Sequence, residues 1–282
     1  MRGNPLGTLR GVEPQALAVD PVVNPRGVAA ATASADVLRL LSYNIQVGIT
    51  TRRYRHYVTK GWKHVLPHEA RGRNLRRIAE VVADYDVVAL QEVDAGSLRS
   101  GFMNQVEYLA HEARFPYWYA QLNRDLGPLA QHGNGMLSRV ELSSLEDHKL
   151  PGRIPGRGAI VLRCRLGSET IVVVLLHLSL GERSRQLQLK YVRDLIDGER
   201  HVVVMGDMNS HMADLLNDSP LAGSGLGPVA NVAPTYPSWR PLVALDHVLT
   251  TPALAIKNYS VLDCDISDHR PIAVTIGLQT RM

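Results

Sequence analysis

Eight residues able to bind cations or move protons lie at or near the ends of apolar runs in this sequence. They are Asn44, Glu92, His177, Asp207, Asn209, Asp246, Asp268 and His269. The stretch VVVMGDMNSH at 202–211 shows the pattern at its plainest. Four apolar residues read as a buried strand, Gly206 ends the run, and Asp207 and Asn209 follow two residues apart. A loop can use Asp and Asn for turn chemistry alone, because both bond their own backbone. Repetition of the pattern in six segments argues instead for strand ends converging on one polar site, since such side chains are costly to bury unpaired.

Residue type indicates the chemistry. Glu92 and Asp268 are hard oxygen ligands and Asn44 is a neutral one, a set that suits Mg²⁺ or Mn²⁺ with water completing the shell. No thiolate cluster favours structural zinc. A hard divalent ion, histidines and a free carboxylate are the parts of metal-assisted phosphoester hydrolysis.

The elements that must position these residues follow from periodicity. Strands are expected at 37–45, 86–92, 134–138, 141–150, 158–166, 170–178, 201–207, 242–250 and 271–278. Residues 70–85 carry Leu75, Ile78, Val81 and Val82 at helical spacing, and 181–196 carry Leu187, Leu189, Val192 and Leu195. A third helix is expected at 103–114. His247 alternates with Asp246 and is expected to face away from the site.

The 282 residues, 45% of them hydrophobic, are enough for a substantial core, and no linker divides them. Residues 1–35 read as an N-terminal arm, mobile or draped over the surface, and 36–282 as one catalytic domain. The arm does not read as a signal peptide, and no run of 18 apolar residues occurs. Cys164 and Cys264 lie far apart in apolar surroundings and read as buried thiols, which suits a reducing compartment. The expectation is a monomer in the cytoplasm, soluble or peripheral to a membrane. The net charge of +4 is unevenly placed, with nine basic residues against one acid in 52–77, so an anionic partner is expected.

The blocks SYNI, LQEVD, HGNGMLSR, LLHLSL, GDMN, LDHVL and SDHRPI occur in that order between 37 and 278. Together they resemble the endonuclease/exonuclease/phosphatase superfamily, whose members include DNase I, apurinic endonucleases, sphingomyelinases and inositol phosphatases. The resemblance implies an α/β (α+β) four-layer sandwich, two packed mixed β-sheets flanked by helices. It implies a metal site at Asn44, Glu92 and Asp268, with Glu92 the principal ligand, and a catalytic set of His177, Asp207, Asn209, Asp246 and His269. His177 and His269 would contact phosphate, Asp207 would activate water or protonate the leaving group, and Asn209 would hold the pentacoordinate phosphorus. Asp246 would orient His269. Asn134 resembles a phosphate-side amide, though it could also serve a Gly-flanked turn.

These blocks fix a reaction class and not a substrate. Arg185 follows His177 closely, on the next helix, and is expected to bind substrate. Residues 49–68 read as an insertion near Asn44, in which Arg52, Arg53 and Arg55 are interleaved with Tyr54, Tyr57 and Trp62. That composition suits a nucleic-acid backbone with stacked bases, or an anionic lipid surface. The expected activity is therefore a Mg²⁺- or Mn²⁺-dependent phosphodiesterase or phosphatase. DNA or RNA cleavage, phospholipid cleavage, a catalytically dead binding scaffold and a non-catalytic nucleic-acid-binding module are the alternatives.

Overall fold

The computed structural model describes residues 14–27, 36–48, 69–125, 131–152, 156–229 and 232–279. The apolar runs form two seven-stranded sheets. The first contains β1 (Gln15–Ala18), β7 (Leu142–Lys149), β8 (Gly158–Leu166), β9 (Glu169–His177), β10 (Val202–Asp207), β12 (Asp246–Thr250) and β11 (Gly227–Pro228), in that spatial order. The second contains β13 (Leu254–Val261), β14 (Ile272–Leu278), β3 (Val37–Asn44), β4 (Val87–Asp94), β6 (Gln131–Ser138), β5 (Tyr117–Asp125) and β2 (Val22–Val23). Both sheets are mixed. The pairs β3/β4 and β9/β10 are parallel and the remaining neighbours antiparallel. A parallel pair needs a crossover, supplied by α1 (Glu69–Val82) between β3 and β4 and by α3 (Glu182–Ile196) between β9 and β10. The helices α2 (Gln105–Glu112) and α4 (Met212–Asn217) complete the set among the described residues.

Four layers result because each central strand is buried on both faces. Leu38, Leu40, Val87 and Ala89 meet Val173, Leu175, Val203 and Met205 between the sheets. The alternating partners Leu41, Tyr43, Val88 and Leu90 pack on Leu75, Ile78, Val106 and Leu109 of α1 and α2. Val172, Val174, Val202 and Val204 pack on Leu189, Val192 and Leu215 of α3 and α4.

Within the N-terminal arm, β1 adds to the edge at β7 and β2 to the edge at β5. Five strands lie beyond those expected: β1, β2 and β11 are four residues or shorter, and β5 and β13 have mixed composition. β13 is an edge strand with a register shift between Ile256 and Asn258, so it never shows an apolar run. The expected insertion at 49–68, with Arg52, Arg53 and Arg55, lies outside the described residues.

Candidate active site

Strand alternation brings most of the site together. In β9, β10 and β12 His177, Asp207 and Asp246 stand two positions from the inter-sheet core residues Leu175, Met205 and Val248, and in β3 Asn44 continues the alternation of Leu38 and Leu40. All four are buried at the same edge of the sandwich. The link is direct: Asn44 Nδ2 of one sheet donates to Asp207 Oδ2 of the other at 3.1 Å. His247, on the opposite face of β12, turns away and bonds the Ser210 carbonyl through Nε2 at 2.8 Å.

Glu92 needs a distortion to join them. Regular alternation would send it toward the helices with Val88 and Leu90. A bulge between Gln91 and Val93 and a left-handed backbone at Glu92 (φ 55°) re-aim it. Burial pushes the Glu92 carboxyl up, and the Asp268 carboxylate adds to this, while His269, an Asn44 hydrogen bond and Arg157 pull it back. The end of β10 that carries Asp207 depends on Gly206. A Cβ there would stand 1.9 Å from the Leu176 carbonyl oxygen, and its φ of 150° is one that side-chain-bearing residues rarely adopt.

Asp207 is the hub. Its Oδ2 lies 3.4 Å from His177 Nε2 and 3.9 Å from His269 Nε2, and its Oδ1 accepts the Asn209 backbone N–H at 3.0 Å. Burial pushes this carboxyl up to about 7; His269 and Asn44 oppose the shift, and Asp246 and Glu92 add to it. The two histidines are pushed apart. Burial, then Arg157, His269 and His132, hold His177 well below the usual imidazole range. Burial also opposes charge on His269, but Asp246 and Asp207 outweigh it and hold that imidazole well above its ordinary value. Asp207, Asp246 and His269 form a buried cluster with ligand atoms within 4.8 Å of one another. Tyr236 stacks at a tilt on His269, with ring centroids 4.9 Å apart.

The remaining expected residues are placed as follows. Asp268 is buried beside His269, its Oδ1 accepting from Ser267 Oγ at 3.3 Å. Asn209 spends one amide proton on the Leu178 carbonyl at 3.0 Å. Asn134 spends both, on Gln121 Oε1 and the Gly158 carbonyl, so it offers an acceptor rather than an amide donor. Arg185 does not line the cavity beside the site. Its Nη1 donates to the Ser179 and Leu180 carbonyls and secures the chain leaving His177.

Sequence reasoning missed Arg157. Its Nη1 lies 2.8 and 2.7 Å from the two ring nitrogens of His177, and burial holds the guanidinium below its ordinary value, with Glu92 and Asp207 opposing the shift. The signal was the basic, Gly-rich run PGRIPGRG before β8, which reads only as a turn. Thr235, which bonds Asp246, carried no signal at all.

Residues 41–269 match the model of the Endonuclease/Exonuclease/phosphatase family. None of the curated proteins matches the sequence. Solved structures share the fold. An endonuclease/exonuclease/phosphatase from Beutenbergia cavernae is 22% identical, with a TM-score of 0.66 over 86% of this chain and 72% of that one. The mannosyl-6-phosphatase of Bacteroides thetaiotaomicron is 16% identical, with a TM-score of 0.62 over 85% of this chain and 99% of that one. TDP2 of D. rerio, complexed with a single-strand DNA product, is 18% identical, with a TM-score of 0.61 over 86% of this chain and 99% of that one. With the family model spanning most of the sandwich and all the strand-end residues from Asn44 to His269, the chain belongs to the endonuclease/exonuclease/phosphatase family, a family of phosphoester hydrolases.

Proposed function

We propose that the protein is a divalent-metal-dependent phosphoester hydrolase in which Asp207 handles the proton of the attacking water. The observation that carries this reading is the buried Asp207 carboxylate, 3.4 Å from His177 Nε2 and 3.9 Å from His269 Nε2, where burial pushes the carboxyl up to about 7, burial holds His177 low, and Asp246 and Asp207 hold His269 high. Paired groups with opposed shifts are the mark of divided acid and base roles.

Glu92 and Asp268 fit a hard cation: burial and the Asp268 carboxylate raise the cost of ionising Glu92, and a bound cation would relieve it. With the Asn44 amide oxygen they would hold Mg²⁺ or Mn²⁺, which when bound polarises a phosphoryl oxygen. The protein's own groups do the rest. His269 keeps its proton because Asp246 binds Nδ1, so Nε2–H is a charged donor for a phosphoryl oxygen. Arg157 supplies a second cation, and the remaining Asn209 amide proton a neutral donor. Asp207, ionised, accepts the proton of water.

The cleaving alternatives named from sequence share this site and differ in substrate, and the two binding alternatives differ in having no turnover. Turnover of bis-p-nitrophenyl phosphate, p-nitrophenyl phosphate, plasmid DNA, RNA and lysophospholipid, each with Mg²⁺, Mn²⁺ and EDTA, tests the reading. Metal-dependent release from at least one ester is expected. No release from any, or release equal in EDTA, would remove it and leave a binding scaffold.

A further inference from the structure

The space beside the reactive groups is one-sided. A cavity of about 840 Å³ opens from Glu92 and His177 toward the ends of β5 and β6 and the first turn of α3, while Asp246 and His269 take no part in its lining. That volume is in the range of sites for whole small molecules, about 300–1,000 Å³, and far exceeds the needs of one phosphoryl group.

Its charge is also in excess of what the reaction uses. Three guanidinium groups line it, from Arg124, Arg157 and Arg183. Arg157 is engaged with His177. Arg124 and Arg183 are exposed and make no ion pair among the described residues. The Arg124 stem lies across Gly156, where an added Cβ would sit 3.2 Å from Arg124 Cβ and where φ is 119°. That glycine therefore keeps Arg124 beside Arg157. Arg183 stands in the first turn of α3, after the N-cap Gly181, which provides no side-chain cap. One acid, Glu182, shares that turn and lines the cavity as well.

An independent pointer comes from Asn134. It is 2% exposed, its amide protons are both committed, and its Oδ1 has no partner while the residue lines the same cavity. A buried amide oxygen left unpaired costs about 1–3 kcal/mol, a cost that a hydroxyl or ring N–H of an organic ligand would remove.

We infer that the cavity receives the organic body of the substrate together with a second phosphate on it. Arg124 and Arg183 take that second phosphate, and Arg157 stays with the scissile one. This rests on the hydrolase reading above. The shared chemistry is a phosphate ester with a further phosphate on the same organic body, which a polynucleotide end and a sugar bisphosphate both offer.

The test compares the dinucleotide pTpT with TpT, and glucose 1,6-bisphosphate with glucose 6-phosphate, by calorimetric binding in EDTA at low salt and then by kcat/KM with Mg²⁺ or Mn²⁺. In EDTA the doubly phosphorylated member of at least one pair is expected to bind about tenfold more tightly. That ratio should fall toward one in Arg124→Ser/Arg183→Ser and persist in Arg165→Ser, which removes a surface charge from the hairpin between β8 and β9. The pair that shows the preference identifies the source. Equal affinity within both pairs, or a preference that survives the double substitution, overturns the subsite. Failure to turn over any ester with metal overturns the hydrolase reading instead, and the binding ratio still reads the subsite.

Discussion

Asp246 Oδ2 holds His269 Nδ1 at 2.8 Å and accepts from Thr235 Oγ1 at 2.6 Å on the same oxygen. One carboxylate oxygen thus fixes both the rotamer and the charge of the imidazole. Asp246→Asn should lower the His269 pKa, so activity on the alkaline side fades at lower pH than in the parent. Asp246→Asn/His269→Ala should be little worse than His269→Ala alone. Additive losses, or an unmoved pH profile, would mean the two residues do not act as a unit.

Asp207→Asn should reduce turnover by about 10²–10⁴. Its effect on stability runs the other way. The folded-state pKa of about 7 lies above the ordinary carboxylate value, so the stabilisation from the neutral form is complete at acid pH and lost as pH rises through 7. In EDTA the variant should therefore melt higher than the parent at pH 8 and near it at pH 4. Thermal unfolding at the two pH values checks this.

Glu92→Gln keeps shape and removes charge. Activity should fall by about a hundredfold and recover in part with more metal. Undiminished activity in this variant, or full activity of the parent in EDTA, would remove the metal from the reaction.

His148 provides a pH dependence away from the site. It is buried between Tyr191 and Glu146, and burial lowers its pKa despite the carboxylate. Below about pH 6.5 the unfolded chain takes up a proton that the folded one resists, so stability should fall as pH drops. Urea unfolding of His148→Gln should show a flatter pH dependence between 7 and 5.

Arg52, Arg53 and Arg55 are proposed to contact large anionic substrates and to supply no catalytic group. Replacing all three with Ser should raise KM for such a substrate about tenfold, with a far smaller change in kcat on a p-nitrophenyl ester. A nucleic-acid grip would weaken steeply with salt, and a lipid grip would weaken in Trp62→Ala. Parent-like behaviour on every large substrate would make the segment structural.

The central strands were legible because they are buried on both faces and their polar ends break long apolar runs. Asn44, His177 and Asp207 could be read that way. Glu92 was legible as a residue type but not as an orientation, because its bulge is a backbone event with no composition of its own. Arg157 and Thr235 stayed hidden since their roles depend on the two sheets meeting, a contact between segments distant in sequence. Arg185 shows the converse: proximity in sequence to His177 led to a carbonyl clamp on the chain rather than to the cavity.

The division of the reactive groups between two sheets makes their alignment a property of how those sheets sit. Asn44 and Glu92 travel with one sheet and His177, Asp207 and Asp246 with the other, while Asp268 and His269 sit on the loop before β14, where Ser238 N–H donates to the Asp268 carbonyl and Arg270 N–H to the Thr235 carbonyl. Among the side-chain bonds, Asn44 to Asp207 and His269 to Asp246 stitch the seam, above a buried apolar layer made mainly of Leu, Val, Ile and Met. A slip of about 1 Å along that layer would leave secondary structure intact yet cost about a hundredfold in rate. Warming, or truncation of an inter-sheet residue such as Val203, should therefore silence the enzyme before circular dichroism registers any loss of strand.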